Sequence, residues 1–184
     1  MSYQHMKMLF SRFRFHKIGP LAGFWMLLAV IPNASQATSD DPRLYGDNYD
    51  PDNLIARTVR GDIPSVALYE DDEVVAFLAD RPATLGHFLV ASKTSKARNF
   101  LELTRDELAH IMEVAQRVAK AEIIALGTQG FTIRQNNGSA STIMQYHLHV
   151  IPRWKDDTLP QGMGKPVDMQ TLEKQGEQIR AAME

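Results

Sequence analysis

The sequence contains no cysteine, which excludes a disulfide framework, a cysteine nucleophile and any zinc site built on cysteine ligands. It has no internal repeat, no low-complexity segment, and no apolar run of the roughly 20 residues that span a bilayer. Neither sign of charge dominates, since 20 basic residues stand against 22 acidic ones in a chain of 184. With 44% apolar and 23% charged residues, the composition is that of a globular protein with a real core.

The first 37 residues have the order of a secretory signal. A basic stretch without any acid precedes the apolar run Leu21–Ile31, and small residues follow at Ser35 and Ala37. We predict a cleaved signal peptide over 1–37 and a secreted or periplasmic protein. Three alternatives stay open: an uncleaved membrane anchor, a core helix of the fold, and a misassigned start codon. A misassigned start codon would leave the protein cytoplasmic. Cleavage after Ala37 would leave 16 basic and 22 acidic residues, a net charge of −6 that argues against nucleic-acid binding as the main activity.

The remainder divides into a polar linker or arm at 38–51, one domain at 52–155, and a C-terminal loop and helix at 156–184. Asp52 is predicted to cap a short helix over 53–60, and Thr104 with Glu107 forms a capping box that opens a long helix ending at Gly127. A last helix is expected from about Thr171. The β-prone runs are 65–69, 73–78, 87–92, 131–135 and 146–151. Five strands with one long helix predict an α+β fold with a five-stranded antiparallel sheet and shorter flanking helices.

The last strand places two histidines on one side. Alternate side chains of a strand share a face, so Tyr146, Leu148 and Val150 would face the core. Gln145, His147, His149 and Ile151 would then face the other way. The two imidazoles lie roughly 6–7 Å apart along the backbone, close enough for both to reach one phosphate-sized group. A neutral imidazole can attack phosphorus, and a neighbouring donor can stabilise the developing oxygen charge.

The pair alone leaves other interpretations open. Two histidines at this spacing also occur as a surface pair, as partnered core residues, or as half of a metal site. His87 or a carboxylate would have to supply the third metal ligand. No recognised ligand spacing in the chain strengthens that option.

The surroundings of the pair make the pattern specific. The segment Ile143–Arg153, ending in Val-Ile-Pro-Arg, resembles the signature of the histidine triad family. The segments Arg60–Ser65, Tyr69–Phe77 and Arg81–Val90 resemble the first half of that family, and Asn136–Gly138 resembles the turn before its signature. The resemblance covers about 50–155. It implies a nucleotide hydrolase or transferase that works through a covalent phospho-histidine, needs no cofactor and forms a homodimer.

Roles follow from the resemblance once the chain is aligned on the Val-Ile-Pro-Arg ending. His147 then matches the nucleophile of the family, His149 the third histidine, and Gln145 the first. An ungapped alignment from the Asn-Asn-Gly turn would instead make His149 the nucleophile. We prefer the alignment on the Val-Ile-Pro-Arg ending, which places a two-residue deletion in the loop, because loops absorb deletions more easily than strands. His87 matches a further phosphate-contacting histidine. Asn137, Ser141 and Thr142 match phosphate-binding positions.

Two departures bear on activity. Gln145 keeps the hydrogen-bonding capacity of the histidine it replaces but cannot titrate. Ala79 stands where the family often has a ribose-binding aspartate, and Asp80 follows one residue later, where a strand would turn it to the opposite face. The leading expectation is cleavage of nucleotide phosphoanhydrides or phosphoramidates through phospho-His147. A catalytically weak nucleotide- or phosphate-binding module and a metal-binding protein using the three histidines are the alternatives, and we expect no structural zinc.

Overall fold

The computed structural model describes residues 48–158, 162 and 164–184. The predicted signal peptide at 1–37 lies outside these residues, as does most of the predicted arm at 38–51. Within the described part, no helix has both the length and the apolar character needed to cross a membrane.

The described chain forms one antiparallel five-stranded sheet, which confirms the predicted α+β class. The strands are β1 (Ala67–Glu70), β2 (Val74–Leu78), β3 (Phe88–Ser92), β4 (Gly130–Arg134) and β5 (His147–Arg153), in the order β1-β2-β3-β5-β4. The last strand runs two residues beyond the predicted end at Ile151, because β4 continues to pair with it as far as Gly130 opposite Arg153.

Three helices accompany the sheet: α1 (Leu54–Val59), α2 (Arg105–Leu126) and α3 (Met169–Ala181). The prediction that Asp52 caps α1 is wrong. Asn53 is the cap, since its Oδ1 accepts the Ala56 N–H at 3.0 Å. The capping box of Thr104 and Glu107 opens α2 as predicted. The helix α3 begins two residues before Thr171, because the Asp168 carboxylate caps it.

The two faces of the sheet differ in what covers them. The core lies between one face and the helices α2 and α3, and Tyr146, Leu148 and Val150 point into it as predicted. On α2 the buried face includes Val114, whereas Met112 is exposed. The other face carries a smaller apolar cluster closed by Ile55 of α1. This second face is the one that bears the histidines.

A glycine brings the loop before β3 against the end of α2. Gly86 has a φ of +76°, a conformation that side-chain-bearing residues rarely adopt. A Cβ at this position would lie 2.6 Å from Leu126 Cδ1 and 2.8 Å from Glu122 Oε1. The absence of a side chain therefore lets the loop settle onto the helix and sets the position of the next residue, His87.

Candidate active site

Three histidines meet in a pocket of about 310 Å³ on the face of the sheet opposite α2. His147 and His149 come from β5, and His87 comes from the residue before β3. Ring centroids lie 5.0 Å apart for His147 and His149, and 5.2 Å apart for His87 and His149. The predicted partition of the strand is thus observed, with the two imidazoles of β5 on one side and its core residues on the other.

The backbone fixes the orientation of His147. Its Nδ1 lies 2.7 Å from the carbonyl oxygen of Gln145. A carbonyl only accepts hydrogen bonds, so we assign the proton to Nδ1 and leave the lone pair on Nε2. His147 is buried but lines the pocket, so its unprotonated nitrogen is available to a ligand there.

A second chain of hydrogen bonds fixes His87 and His149. The N–H of Ala83 donates to His87 Nδ1 at 3.0 Å, so that nitrogen carries no proton. His87 Nε2–H therefore donates to His149 Nδ1, also at 3.0 Å. In the neutral pair this leaves the proton of His149 on Nε2. The pocket is thus supplied with one ring acceptor, His147 Nε2, and one ring donor, His149 Nε2–H.

Burial keeps all three imidazoles neutral. It lowers the pKa of His87 to about 4, with a smaller contribution from the positive charge of Arg134. It lowers the pKa of His149 to about 3, assisted by His147, His87 and Arg134. Burial also lowers the pKa of His147, although the hydrogen bond to Gln145 opposes this. Neutral imidazole is the form that can act as a nucleophile.

Gln145 lies next to His147 on the side away from the open pocket and is held by a neighbouring helix. It is only 4% exposed, and its Oε1 accepts a hydrogen bond of 3.0 Å from Asn53 Nδ2. Its carbonyl is the group that holds His147. Asn53 also caps α1, so one amide side chain connects the start of that helix to the residue that orients His147.

The loop before β5 brings two of its three predicted phosphate-binding residues to the pocket. Ser141 and Thr142 line the wall, although Ser141 Oγ already donates to the carbonyl of Ile143 at 2.7 Å. Asn137 is turned elsewhere: its Oδ1 accepts the Phe100 N–H at 3.3 Å, and the neighbouring Asn136 lines the pocket instead. The structure thus brings Asn136 rather than Asn137 to the pocket, because adjacent residues of an extended chain point to opposite sides.

Both Ala79 and Asp80 reach the pocket wall at the end of β2. Ala79 is buried and its N–H donates to the carbonyl of His87 at 2.9 Å. Asp80 is exposed, so its carboxylate lies at the mouth rather than inside.

The sequence pattern did not indicate a further charged residue of the pocket. Arg134 lies at the end of β4, opposite His149 on the neighbouring strand, and lines the pocket. Its cross-strand position puts its side chain on the same face as the imidazole. Only the pairing of β4 with β5 reveals this, since nothing in the local sequence around residue 134 distinguishes it from a surface arginine.

The described part of the chain shows no cluster of three or more histidine, cysteine or acidic side chains arranged to hold a metal ion. The hydrogen bonds explain this for the three histidines. The nitrogens His87 Nε2 and His149 Nδ1 face each other, so they are not free to converge on an ion.

Comparisons with known proteins agree with this fold. The model of the HIT domain matches residues 60–156. A crystal structure of a Hit-like protein from Bartonella henselae superposes with a TM-score of 0.69 at 36% identity, covering 74% of this chain and 99% of that one. Adenosine 5'-monophosphoramidase hnt1 of Schizosaccharomyces pombe is 30% identical over 68% of this chain and 94% of its own length. Adenylylsulfatase HINT3 of Arabidopsis thaliana is 28% identical over 70% of this chain and 66% of its own length.

These comparisons show both the family and the fold of the chain. The chain belongs to the histidine triad (HIT) family.

Proposed function

We propose that this protein is a nucleotide hydrolase or transferase that cleaves phosphoanhydrides or phosphoramidates through a covalent intermediate on His147. The hydrogen bond from His147 Nδ1–H to the Gln145 carbonyl carries the proposal. It holds the ring in one tautomer and leaves the Nε2 lone pair for attack on phosphorus in the pocket. A second contact supports the register that makes His147 rather than His149 the nucleophile. His149 Nδ1 accepts the hydrogen bond from His87, so the proton of His149 lies on Nε2 and that nitrogen has no lone pair to offer the pocket.

The proposed reaction has two displacements. In the first, the Nε2 lone pair of His147 forms a bond to phosphorus, and the bond from phosphorus to the leaving group breaks with its electron pair on the leaving atom. The positive charge of the phosphorylated ring is stabilised by its Nδ1–H bond to Gln145. In the second, water or another acceptor attacks phosphorus, the electron pair returns to Nε2, and a proton passes to solvent. His149 Nε2–H donates to a phosphoryl oxygen in both steps.

The shape of the site supports a nucleotide as the substrate. A second cavity of about 190 Å³ adjoins the histidine pocket, and the two share wall residues, among them Ile55 and Leu89. Apolar walls beside a polar end suit a base and a phosphate joined by a ribose. The relatives in Arabidopsis and fission yeast have names that both refer to compounds of adenosine 5'-phosphate.

A hydrolysis screen over nucleotide conjugates, run with the wild type and His147→Ala in parallel, tests the proposal. We expect turnover by the wild type and its loss, by three orders of magnitude or more, in the variant. His110→Ala is the matched control, because His110 pairs with Asp71 Oδ2 at 2.8 Å and does not line the pocket. Equal turnover by wild type and His147→Ala would overturn the proposal.

A binding module is the second candidate, and two residues favour it. Gln145 cannot exchange a proton, and Ala79 offers no carboxylate to a ribose. Tight nucleotide binding by calorimetry, with the same absence of turnover in wild type and His147→Ala, would establish this alternative.

A further inference from the structure

We propose that Glu122, near the end of α2, is a positioning residue for His87, and that loss of its proton at alkaline pH displaces the turn that carries this histidine. Glu122 does not line the histidine pocket. It would act on the pocket through the turn at Gly86, which packs against its carboxyl group. The effect on the His87 ring stands by itself, whereas the effect on turnover rests on the proposed function.

The surroundings of the Glu122 carboxyl group suit only its neutral form. Glu122 is 0% exposed, and neither carboxyl oxygen has a hydrogen-bond partner among the residues that the structure describes. Its neighbours one helical turn away are all apolar: Val118, Ala119, Ala125 and Leu126. A buried carboxylate without a partner is far more costly than the neutral acid, and burial accordingly raises the pKa of Glu122 to about 9.

The loop that covers Glu122 brings no compensating charge to it. The titratable group next to Gly86 is His87, which is neutral because burial lowers its pKa to about 4. Asp80 and Arg81 belong to the same loop but are exposed at the mouth of the pocket. Ionisation of Glu122 therefore finds no cation on this side.

The strand β5, which also reaches Gly86, offers no free cation either. A Cβ at Gly86 would lie 3.3 Å from Pro152 Cγ, and the residue after Pro152 is Arg153. The Arg153 guanidinium is bonded to Asp157 and to Thr132 Oγ1. Within the described part of the chain, burial is the single influence on the pKa of Glu122, without any contribution from a charged group.

The turn at Gly86 is the movable part of this contact. A Cβ at Gly86 would lie 2.8 Å from Glu122 Oε1, so the glycine backbone rests directly on the carboxyl group. The other side of the contact is α2, a 22-residue helix held by its own hydrogen bonds, whereas the turn is short. A carboxylate has to recover hydration, and water reaches Oε1 when the turn moves away from the helix.

Displacement of the turn would change the state of the His87 ring. The N–H of His87 donates to the carbonyl of Thr84 at 3.1 Å, and the N–H of Ala83 donates to His87 Nδ1 at 3.0 Å. The second bond fixes the tautomer in which His87 Nε2–H donates to His149. Without it, His87 can carry its proton on either nitrogen, and His149 loses its fixed donor.

NMR of the histidine ring nitrogens measures this displacement directly. The pocket imidazoles are already neutral at pH 7, because burial lowers the pKa of each, so a later change in their signals reports movement rather than protonation. In protein with isotopically labelled histidine, the His87 signals of the wild type should shift with a midpoint near pH 9. They should stay constant in Glu122→Gln and Glu122→Met, whose side chains have a similar length and cannot ionise. The spectrum of His87→Asn assigns the signals.

Turnover of a nucleotide conjugate is the second measurement. We expect kcat of the wild type to fall by about tenfold between pH 8 and pH 10, as follows when activity requires the protonated form of a group with a pKa of about 9. Glu122→Gln and Glu122→Met should lose this fall. Glu113→Gln is the matched control, because it removes an exposed carboxyl group from the same helix, and it should retain the fall.

Two results would overturn the inference. One is a set of His87 signals that stays constant in the wild type up to pH 10, or that shifts equally in the wild type and in both Glu122 variants. The other is a difference between wild type and variants that appears in step at His110 on α2, since the whole domain would then be unfolding. Failure of the proposed function is distinguishable, because the wild type would show no turnover at any pH while its His87 signals still shifted.

Discussion

Asn53 Nδ2 donates a hydrogen bond of 3.0 Å to Gln145 Oε1 across 92 residues of sequence. The same amide caps α1 through Oδ1. Because the Gln145 carbonyl holds His147, the start of a six-residue helix takes part in positioning the proposed nucleophile.

Substitution of Asn53 should separate the capping role from the positioning role. Asn53→Ser keeps a good cap but has no amide to reach Gln145, so we expect a several-fold fall in kcat with little change in Tm. Asn53→Ala should show the same fall in kcat and also lose about 1 kcal/mol of stability. Thermal unfolding and steady-state kinetics measure the two effects.

The matched control is Asp168→Ala, which removes the cap of α3 without touching the site. We expect it to lower Tm with kcat unchanged. Wild-type kcat in Asn53→Ser would show that the hydrogen bond to Gln145 does not position the nucleophile.

The histidine pair should make the protein sensitive to acid. The pKa of His87 is about 4 in the folded chain, below its ordinary value of 6.5, so between these values the unfolded chain binds a proton that the folded chain does not. The contribution of His87 to the free energy of unfolding is therefore fully present above pH 6.5 and is lost as the pH falls toward 4. His149 acts in the same direction. Urea titrations across this range measure the free energy of unfolding. We expect it to fall less steeply with decreasing pH in His87→Asn than in the wild type, by up to about 1.4 kcal/mol per pH unit. Parallel curves for the two proteins would mean that His87 remains free to protonate in the folded state.

The buried carboxyl group of Glu122 should act in the opposite direction. Glu122 is fully buried, and among the residues that the structure describes neither of its carboxyl oxygens has a hydrogen-bond partner. Burial raises its pKa to about 9. The folded chain thus retains a proton that the unfolded chain releases above pH 4.5, so stability falls as the pH rises toward 9. Glu122→Gln should remove this dependence and be the more stable protein at pH 8, as judged by chemical denaturation at pH 5 and pH 8. If the free energy of unfolding depends on pH in the same way in Glu122→Gln and in the wild type, the carboxyl group ionises freely in the folded chain.

The homodimer expected from the family can be sought at β4. This strand forms one edge of the sheet, and Ile133 on it is 53% exposed. An open edge with an exposed apolar side chain is a ready surface for a second copy. We expect light scattering to give a dimer for the wild type and a monomer for Ile133→Glu, while Met169→Glu at the start of α3 remains dimeric. A monomeric wild type would contradict the expectation.

The sequence predicts the local features of this fold well and the distant ones poorly. Alternation along 146–151 separates the core face from the histidine face, because the side-chain period of a strand is a local property. The capping box at Thr104 is likewise contained within four residues. The roles of Asn53 and Arg134 depend on contacts with distant segments and on the register between β4 and β5, neither of which has a local signal. The presence of Asn136 rather than Asn137 at the pocket has the same origin, since a shift of one residue reverses the face.

The stereochemistry at phosphorus tests the covalent intermediate most directly. Each in-line displacement inverts the phosphorus centre, so attack by His147 followed by water gives net retention. The measurement uses a substrate in which one phosphorus of known configuration carries adenosine, one sulfur, one oxygen and the leaving group. It is hydrolysed in isotopically labelled water, and the product is analysed by phosphorus NMR. The account predicts retention. Inversion would mean that water attacks the substrate directly and that His147 is not the nucleophile.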